Sequence, residues 1–325
     1  MKHQSNILAL KYRPLNFQDL IGQEYLVETI QKSIQQNKIP NAYIFTGIRG
    51  VGKTTTARIV AKMLNCTVFD KNNNPDLINC EQAKAITEDR HPDVIEIDAA
   101  SNTSVENARE IIENVKYNPV LGKYKVYIVD EVHMLSKSAF NALLKTLEEP
   151  PPHSKFIFAT TEISKVPITI LSRCQRFDLR RVDKRILSDF LKSIAKNEDI
   201  TISNEALNLI VKASDGSVRD SLSILDQANV FKSQKEIQVE EIVNMLGFAR
   251  QGDLYELSKC ILDNNLSKLI SMLDDMYQRG SETSKIIEDM MNIINWSCKL
   301  KINQELIKDE FSNEEDKNFE SYVIQ

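Results

Sequence analysis

Gly47-Ile48-Arg49-Gly50-Val51-Gly52-Lys53-Thr54 decides how this chain is read. The run follows the apolar stretch Tyr43-Ile44-Phe45 and opens a helical pattern, the setting that a G-x-x-x-x-G-K-[ST] phosphate loop requires. Gly47, Gly50 and Gly52 let the backbone curl so that successive N–H groups, that of Val51 among them, point at phosphate oxygens. The helix that follows, with Lys53, Thr54 and Thr55 in its first turn, adds the positive end of its dipole. The Lys53 ammonium neutralises charge on the terminal phosphates, and the Thr54 hydroxyl offers Mg²⁺ a coordination position. A nucleoside triphosphate is the ligand this pattern implies.

Val126-Tyr127-Ile128-Val129-Asp130-Glu131 supplies the second half of such a site. An apolar strand ending in two carboxylates places them at the carboxyl end of a parallel sheet, where α/β folds bind their ligands. Asp130 is expected to hold Mg²⁺. Glu131 is expected to polarise the attacking water, a task that needs an ionised carboxylate. Asp130-Glu131-Val132-His133 also spells D-E-x-H, a box of one helicase superfamily. The late Q-x-x-G-R-x-x-R run of that superfamily is absent, so His133 reads as a polar residue beside the site.

The surrounding pattern gives the fold class. Tyr43-Ile44-Phe45, Val94-Ile95-Glu96-Ile97, Val126-Tyr127-Ile128-Val129 and Phe156-Ile157-Phe158-Ala159 read as buried parallel strands. Between them, Val105, Ala108, Ile112 and Val115 share one helix face, as do Phe140, Leu143, Leu144 and Leu147. Alternation of this kind predicts an α/β domain with helices on both faces of a parallel sheet, over residues 1–182. From 183 to 246 the strands stop. Leu187, Leu191 and Ile194, then Leu207 and Ile210, then Leu222, Leu225 and Ala228 predict three short helices in a small bundle. From 247 to 325 the pattern stays helical, with stripes at Leu254, Leu257 and Ile261 and at Ile286, Ile287, Met290 and Ile294. Asn72-Asn73-Asn74-Pro75 reads as a polar loop insertion, and the acidic run 313–317 as a frayed end.

Composition narrows the class. With 325 residues, 42% of them hydrophobic and 27% charged, two or three globular domains are expected. No apolar run approaches the length of a membrane span, and residues 1–6 lack the core of a signal peptide, which predicts a cytoplasmic protein without a membrane partner. A net charge of −5 excludes a coat of positive charge for indiscriminate DNA binding, yet leaves room for a local basic lining. Five irregularly spaced cysteines do not form a disulfide framework in that compartment.

Three further constellations follow in order. Ala159-Thr160-Thr161 ends a strand with hydroxyls that can meet a terminal phosphate or the attacking water. Ser172-Arg173-Cys174 follows a turn at Lys165-Val166-Pro167. Gly216-Ser217-Val218-Arg219-Asp220 opens a helix. A cation in the first turn of a helix is locally disfavoured, so Arg219 needs an anionic partner: nucleotide phosphates, or a neighbouring acid such as Asp215 or Asp220.

The whole set, with Tyr12-Arg13-Pro14 and Gly22-Gln23, resembles the AAA+ ATPases of clamp loaders. The wording of residues 91–102 and of Leu144-Lys145-Thr146-Leu147-Glu148-Glu149-Pro150-Pro151 is similar to the bacterial gamma/tau subunits of DNA polymerase III. The resemblance is dense over about residues 7 to 250. It implies an ATPase domain, a helical lid and a helical collar, with ATP and Mg²⁺ as ligands. It implies Lys53 and Thr54 on phosphate and Mg²⁺, Thr161 as a polar sensor of the γ-phosphate, and Arg219 as a second sensor carried by the lid. It implies that Arg173 reaches into a neighbouring subunit's site, and that Tyr12, Arg13 and Ile21-Gly22 lie around the adenine. The partners implied are other loader subunits, further copies of this chain, the sliding clamp, primed DNA and the polymerase holoenzyme.

Two departures stand out. The resemblance implies four zinc-binding cysteines, the usual set in gamma/tau subunits; here Cys66 and Cys80 remain, while the other two positions fall on Leu77 and Ala83. Two thiolates do not close a tetrahedral site, so no zinc is expected unless Asp70, Asp76 or Glu81 completes one. The collar stops at Gln325, which predicts a shortened oligomerisation domain. Three functions remain open on the sequence: a loader motor that hydrolyses ATP, a branch-migration motor sharing its core motifs, and a scaffold that binds ATP without productive turnover. The intact phosphate loop and Glu131 favour the first.

Overall fold

The computed structural model describes residues 7–69, 75–231, 235–247, 251–278 and 283–302. The loop residues 72–74, Asp70 and the acidic run 313–317 lie outside them. Contacts divide the chain into two units, Met1–Leu191 with Val211–Ile224, and Lys192–Ile210 with Leu225–Gln325.

The first unit is built on five parallel strands: β1 (Ala42–Thr46), β2 (Val94–Asp98), β3 (Lys125–Asp130), β4 (Ser154–Thr160) and β5 (Gln175–Asp178). Their order is β2-β3-β4-β1-β5, so β4 separates the strand before the phosphate loop from the strand before the carboxylates. Helices α1 (Leu8–Lys11) and α2 (Glu24–Gln35) precede β1; α3 (Lys53–Asn65) and α4 (Glu81–Thr87) follow it. Next come α5 (Val105–Val115), α6 (Lys137–Glu148) and α7 (Ile168–Leu171).

Successive strand residues point to opposite faces, and two apolar layers result. Tyr43, Phe45, Val126, Ile128, Ile157 and Phe177 pack with Leu26 and Ile30 of α2 and Ile59, Val60 and Leu64 of α3. Ile44, Tyr127, Val129, Phe156 and Phe158 pack on the other face with Ala108, Ile111 and Val115 of α5 and Phe140, Leu143 and Leu147 of α6. Of the two stripes read from sequence, Ala108, Val115, Phe140, Leu143 and Leu147 are buried against the sheet, Ile112 and Leu144 are partly buried beside them, and Val105 is outside the cluster. The fifth strand escaped the sequence reading for a physical reason. Gln175-Arg176-Phe177-Asp178 is an edge strand in which only Phe177 is buried, so its composition carries no apolar run.

Beyond the sheet, α8 (Lys184–Asn197), α9 (Asn204–Ala213) and α10 (Val218–Phe231) bury every apolar position predicted for the small bundle, from Leu187 to Ala228. A further helix, α11 (Val239–Leu246), starts with a capping box of Gln238 and Glu241 and stops at Gly247 in the left-handed region. The last helices are α12 (Gln251–Leu262), α13 (Leu266–Gln278) and α14 (Thr283–Ile302). They bury Leu254, Tyr255, Leu257, Met276, Ile286 and Ile293 together. Ile261, Ile287 and Ile294, read from sequence as part of the stripes, are instead exposed, as are Leu266, Ile270 and Met291. Among the described residues no helix is long and apolar enough to cross a membrane.

Candidate active site

The phosphate loop connects β1 to α3, and its backbone can be adopted only by glycines. Gly47, Gly50 and Gly52 have φ of +151°, +75° and +106°. A Cβ on Gly47 would come within 2.7 Å of the Leu179 carbonyl oxygen. Gly52 occupies the N-cap of α3 with no side-chain cap, which leaves the first N–H groups of that helix for a ligand. Lys53 is buried, and its ammonium donates to the carbonyls of Gly47 (3.1 Å) and Ile48 (3.0 Å). Burial pulls its pKa down, while the charges of Glu131 and Asp130 act in the opposite direction.

The Thr54 hydroxyl donates to Asp130 Oδ2 at 2.6 Å. A hydroxyl and a carboxylate oxygen brought together beside a phosphate loop suit the oxygen-ligand preference of Mg²⁺. Glu131 has φ 45° and ψ 46°. The other non-glycine residues with positive φ among those described are all Asn or Asp, which tolerate that region through short polar side chains. Glu131 alone lacks that excuse, and strain of this kind collects at functional positions. Asp130 Oδ1 accepts the Glu131 N–H at 2.9 Å, and Glu131 Oε2 accepts both the N–H and the hydroxyl of Thr161, each at 3.0 Å.

The two threonines that end β4 separate here. Thr160 is fully buried, and its hydroxyl engages His133 Nδ1 (2.9 Å) and the Glu162 N–H (3.0 Å). Thr161 faces the carboxylate. Arg13 donates from Nε to Thr55 Oγ1 at 3.2 Å, which ties the segment after α1 to the first turn of α3. Gln23 is buried and pairs with the backbone of Arg180 in both directions, at 2.8 and 3.2 Å. Arg219 donates its backbone N–H to the Gly50 carbonyl at 3.2 Å, so the start of α10 abuts the phosphate loop. Of the two acids weighed as its partner, Asp215 is paired with Arg181, and Arg219 forms no salt bridge among the described residues.

Arg173 is not among these groups. Its guanidinium donates to the Thr169 carbonyl (2.6 Å), to Ser172 Oγ (3.1 Å) and to Glu148. Tyr12 closes α1, where the Lys11 ammonium lies 5.8 Å from its ring centre. Sequence reasoning missed the bidentate pair of Arg58 with Glu96, at 2.6 and 2.7 Å, and the buried Lys62. The available signal was their spacing: Thr54, Arg58 and Lys62 repeat every four residues along one face of α3.

The surroundings of Cys66 and Cys80 are apolar where further thiolate ligands would be needed, and Asp70 lies outside the described residues. The two side chains pack together, and the Cys66 thiol donates to the Val68 carbonyl at 3.1 Å. Burial pushes the Cys66 thiol up to about 12; burial would raise Cys80 too, but backbone N–H groups such as that of Ala83 draw its thiol below the usual value. Leu77 and Ala83 pack on the pair as an apolar cluster. The Asp76 carboxylate is occupied by the N–H groups of Ile78 and Asn79 and by the Asn79 amide. Among the described residues no group of three or more His, Cys, Asp or Glu side chains could hold a metal ion.

Three family models match the chain. One described as "DNA polymerase III, delta subunit" covers residues 22–183, a "clamp loader subunit, ATPase lid domain" of DNA polymerase III covers 187–233, and "DNA polymerase III subunits gamma and tau domain III" covers 237–321. The DNA polymerase III subunit tau of Bacillus subtilis is 45% identical over 282 residues, 86% of this chain and 49% of that protein. The DNA polymerase III subunit gamma of Buchnera aphidicola subsp. Schizaphis graminum is 41% identical over 295 residues, 91% of this chain and 80% of that protein. The chain thus spans about half the length of the tau relatives it matches. Among solved structures, the RuvB Holliday junction branch migration motor of Thermotoga maritima superposes with a TM-score of 0.55 at 16% identity. That match covers 86% of this chain and 91% of the other, and it establishes the AAA+ fold alone.

Proposed function

We propose that this chain, which belongs to the gamma/tau family of DNA polymerase III subunits, is the ATP-hydrolysing motor of a clamp loader. In this reading ATP binding assembles a ring that holds the sliding clamp on primed DNA, and hydrolysis releases it. The observation that carries the proposal is the Glu131 carboxylate. It is fixed by two hydrogen bonds from Thr161 next to the Thr54–Asp130 pair, at the mouth of an intact phosphate loop.

The reaction is transfer of the γ-phosphoryl group of ATP to water, giving ADP and phosphate. The loop N–H groups and Lys53 bind the phosphates. Lys53 now spends its protons on the carbonyls of Gly47 and Ile48, contacts that β- and γ-phosphate oxygens can replace. Thr54 and Asp130 would hold Mg²⁺, which supplies positive charge to the β- and γ-oxygens. Glu131 takes the proton of the attacking water. Thr161 reports on the γ-phosphate, since its single hydroxyl proton serves either Glu131 or a phosphate oxygen. Arg219 completes the charge from the lid. Arg173 serves the site of a neighbouring subunit, which makes turnover depend on assembly.

Further copies of the chain and other loader subunits are the proposed assembly partners. The exposed apolar residues of α12, α13 and α14 support this, since a face of that kind is characteristic of contact surfaces. The clamp, primed DNA and polymerase holoenzyme complete the set, in the cytoplasm.

Steady-state ATP hydrolysis, first alone and then with partner loader subunits, clamp and primed DNA, tests the reading. Strong stimulation by the full mixture, abolished by Lys53→Ala, is the expected result. A flat, low rate with ATP still bound would leave the chain a scaffold.

A further inference from the structure

His133 belongs to no role assigned above, yet it is placed against the proposed water-activating group. Its side chain is only 6% exposed. Nδ1 lies 2.9 Å from Thr160 Oγ1 and 3.4 Å from Glu131 Oε2, and Nε2 lies 3.5 Å from Glu162 Oε1. The imidazole is therefore wedged between two carboxylates, with one edge on the oxygen that Thr161 also holds. Glu162 is in turn drawn away by Lys165, at 2.8 Å.

We propose that His133 is a positioning residue for Glu131, confining Oε2 to the end of β4 so that Oε1 is left for the water. The inference rests on the hydrolytic reading. Its physical basis is the backbone at Glu131. A glutamate in the left-handed region starts from a strained conformation, and its side chain has two further torsions before the carboxylate. Thr161 alone gives one oxygen two donors from one side. The buried imidazole adds a third contact to the same oxygen at 3.4 Å, with Thr160 engaging the ring through Nδ1. Small errors in the place of a general base are expensive in rate.

The test uses the chain assembled with partner subunits, clamp and primed DNA, and measures kcat, KM and the affinity for a fluorescent ATP analogue. His133→Ala is expected to lower kcat about tenfold, with KM and analogue affinity unchanged. His133→Asn keeps an amide near the place of Nδ1 and is expected to recover most of that loss. His133→Gln, whose amide reaches toward Nε2, is expected to recover little. An unchanged kcat in His133→Ala, or equal rescue by Asn and Gln, would overturn the assignment. A crystal structure of the His133→Ala chain gives a readout independent of turnover: the Glu131 carboxylate should leave Thr161 Oγ1, and finding it in place refutes the inference. Should the wild-type complex bind ATP without hydrolysing it, the hydrolytic reading fails by itself, and the crystal structure still decides whether His133 positions Glu131.

Discussion

The Ser217 hydroxyl occupies the space that a side chain on Gly50 would need: a Cβ at Gly50 would come within 2.0 Å of Ser217 Oγ. Gly50 has φ +75°, and its carbonyl accepts the Arg219 N–H, so one glycine serves both the phosphate loop and the seat of α10. Gly50→Ala is expected to cost about 2–3 kcal/mol, from backbone strain plus the overlap. Ser217 also accepts the Asp220 N–H at 3.2 Å, so Ser217→Ala is expected to cost about 1 kcal/mol as a lost helix cap. The double variant should be less damaged than the sum of the two, because the oxygen in the way is gone. Urea denaturation of the four proteins measures this, and strict additivity would mean that the two residues do not meet.

Asp93 anchors a surface loop from inside. Its carboxylate accepts the N–H groups of Val120, Leu121 and Gly122, all at 2.7 Å, while Val120 and Leu121 hold their side chains out to solvent. Burial alone would raise the Asp93 carboxyl, but the three donors hold it below the usual range. A depressed carboxyl contributes stability that is present above its unfolded pKa of about 3.9 and is lost as the pH falls through the folded value. Asp93→Ala leaves three part-buried donors without their acceptor and is expected to lose about 3 kcal/mol at pH 7. Denaturant titrations from pH 7 down to pH 3 should show the wild-type advantage shrinking toward the acid end.

How far the sequence carried the fold follows from where each residue sits. Phosphate loop, carboxylate pair and buried strands were legible because a central parallel strand is apolar throughout, and because the loop needs glycines at fixed offsets. The edge strand holding Phe177 was not, since an exposed edge has no pattern. Asp93 stood in a recognised run, but only the fold brings residues 120–122 over its carboxylate. The same holds for Gln23 with Arg180 and for Arg13 with Thr55: side-chain bonds across long chain separations leave no local signature. In the last helices Leu254, Leu257 and Ile286 are buried, while Ile261, Ile287 and Ile294, which stand in the same apolar stripes, are exposed. An apolar residue on a helix does not by itself report burial in the chain's own core, because much of any folded surface is apolar.

Lys62 provides a test of the cation cluster behind the site. It lies buried on α3, and burial first, then the charges of Arg13 and Arg58, lower its pKa to about 8. Across the range from about 8 to 10.5 the unfolded chain holds a proton that the folded chain has released, so stability rises with pH there. Below pH 8 the folded state bears the full cost of an ammonium in that place. Lys62→Met keeps the packed stem without the charge and is expected to raise the melting temperature at pH 7, by about 2–4 °C for each kcal/mol relieved. It should also flatten the alkaline slope. A variant less stable than wild type at pH 7 would show that the ammonium is held better than its one long bond to the Leu15 carbonyl, 3.4 Å, implies.

Arg173 separates a site completed within one chain from a site completed between chains. In the single chain its guanidinium is committed to Glu148, Ser172 and Thr169, all outside the phosphate loop. Arg173→Ala is therefore expected to bind ATP as the wild type does, yet lose about 10³-fold or more of the turnover stimulated by assembly. Arg173→Lys should fare little better, because an ammonium cannot reproduce the planar fork of donors. The decisive measurement mixes two inactive proteins. Lys53→Ala retains the arginine without a working phosphate loop, and Arg173→Ala retains the loop without the arginine. Turnover recovered in the mixture can arise only where the arginine of one copy meets the site of the next. No recovery, with both proteins present in the same assemblies, would place the arginine's work within its own chain.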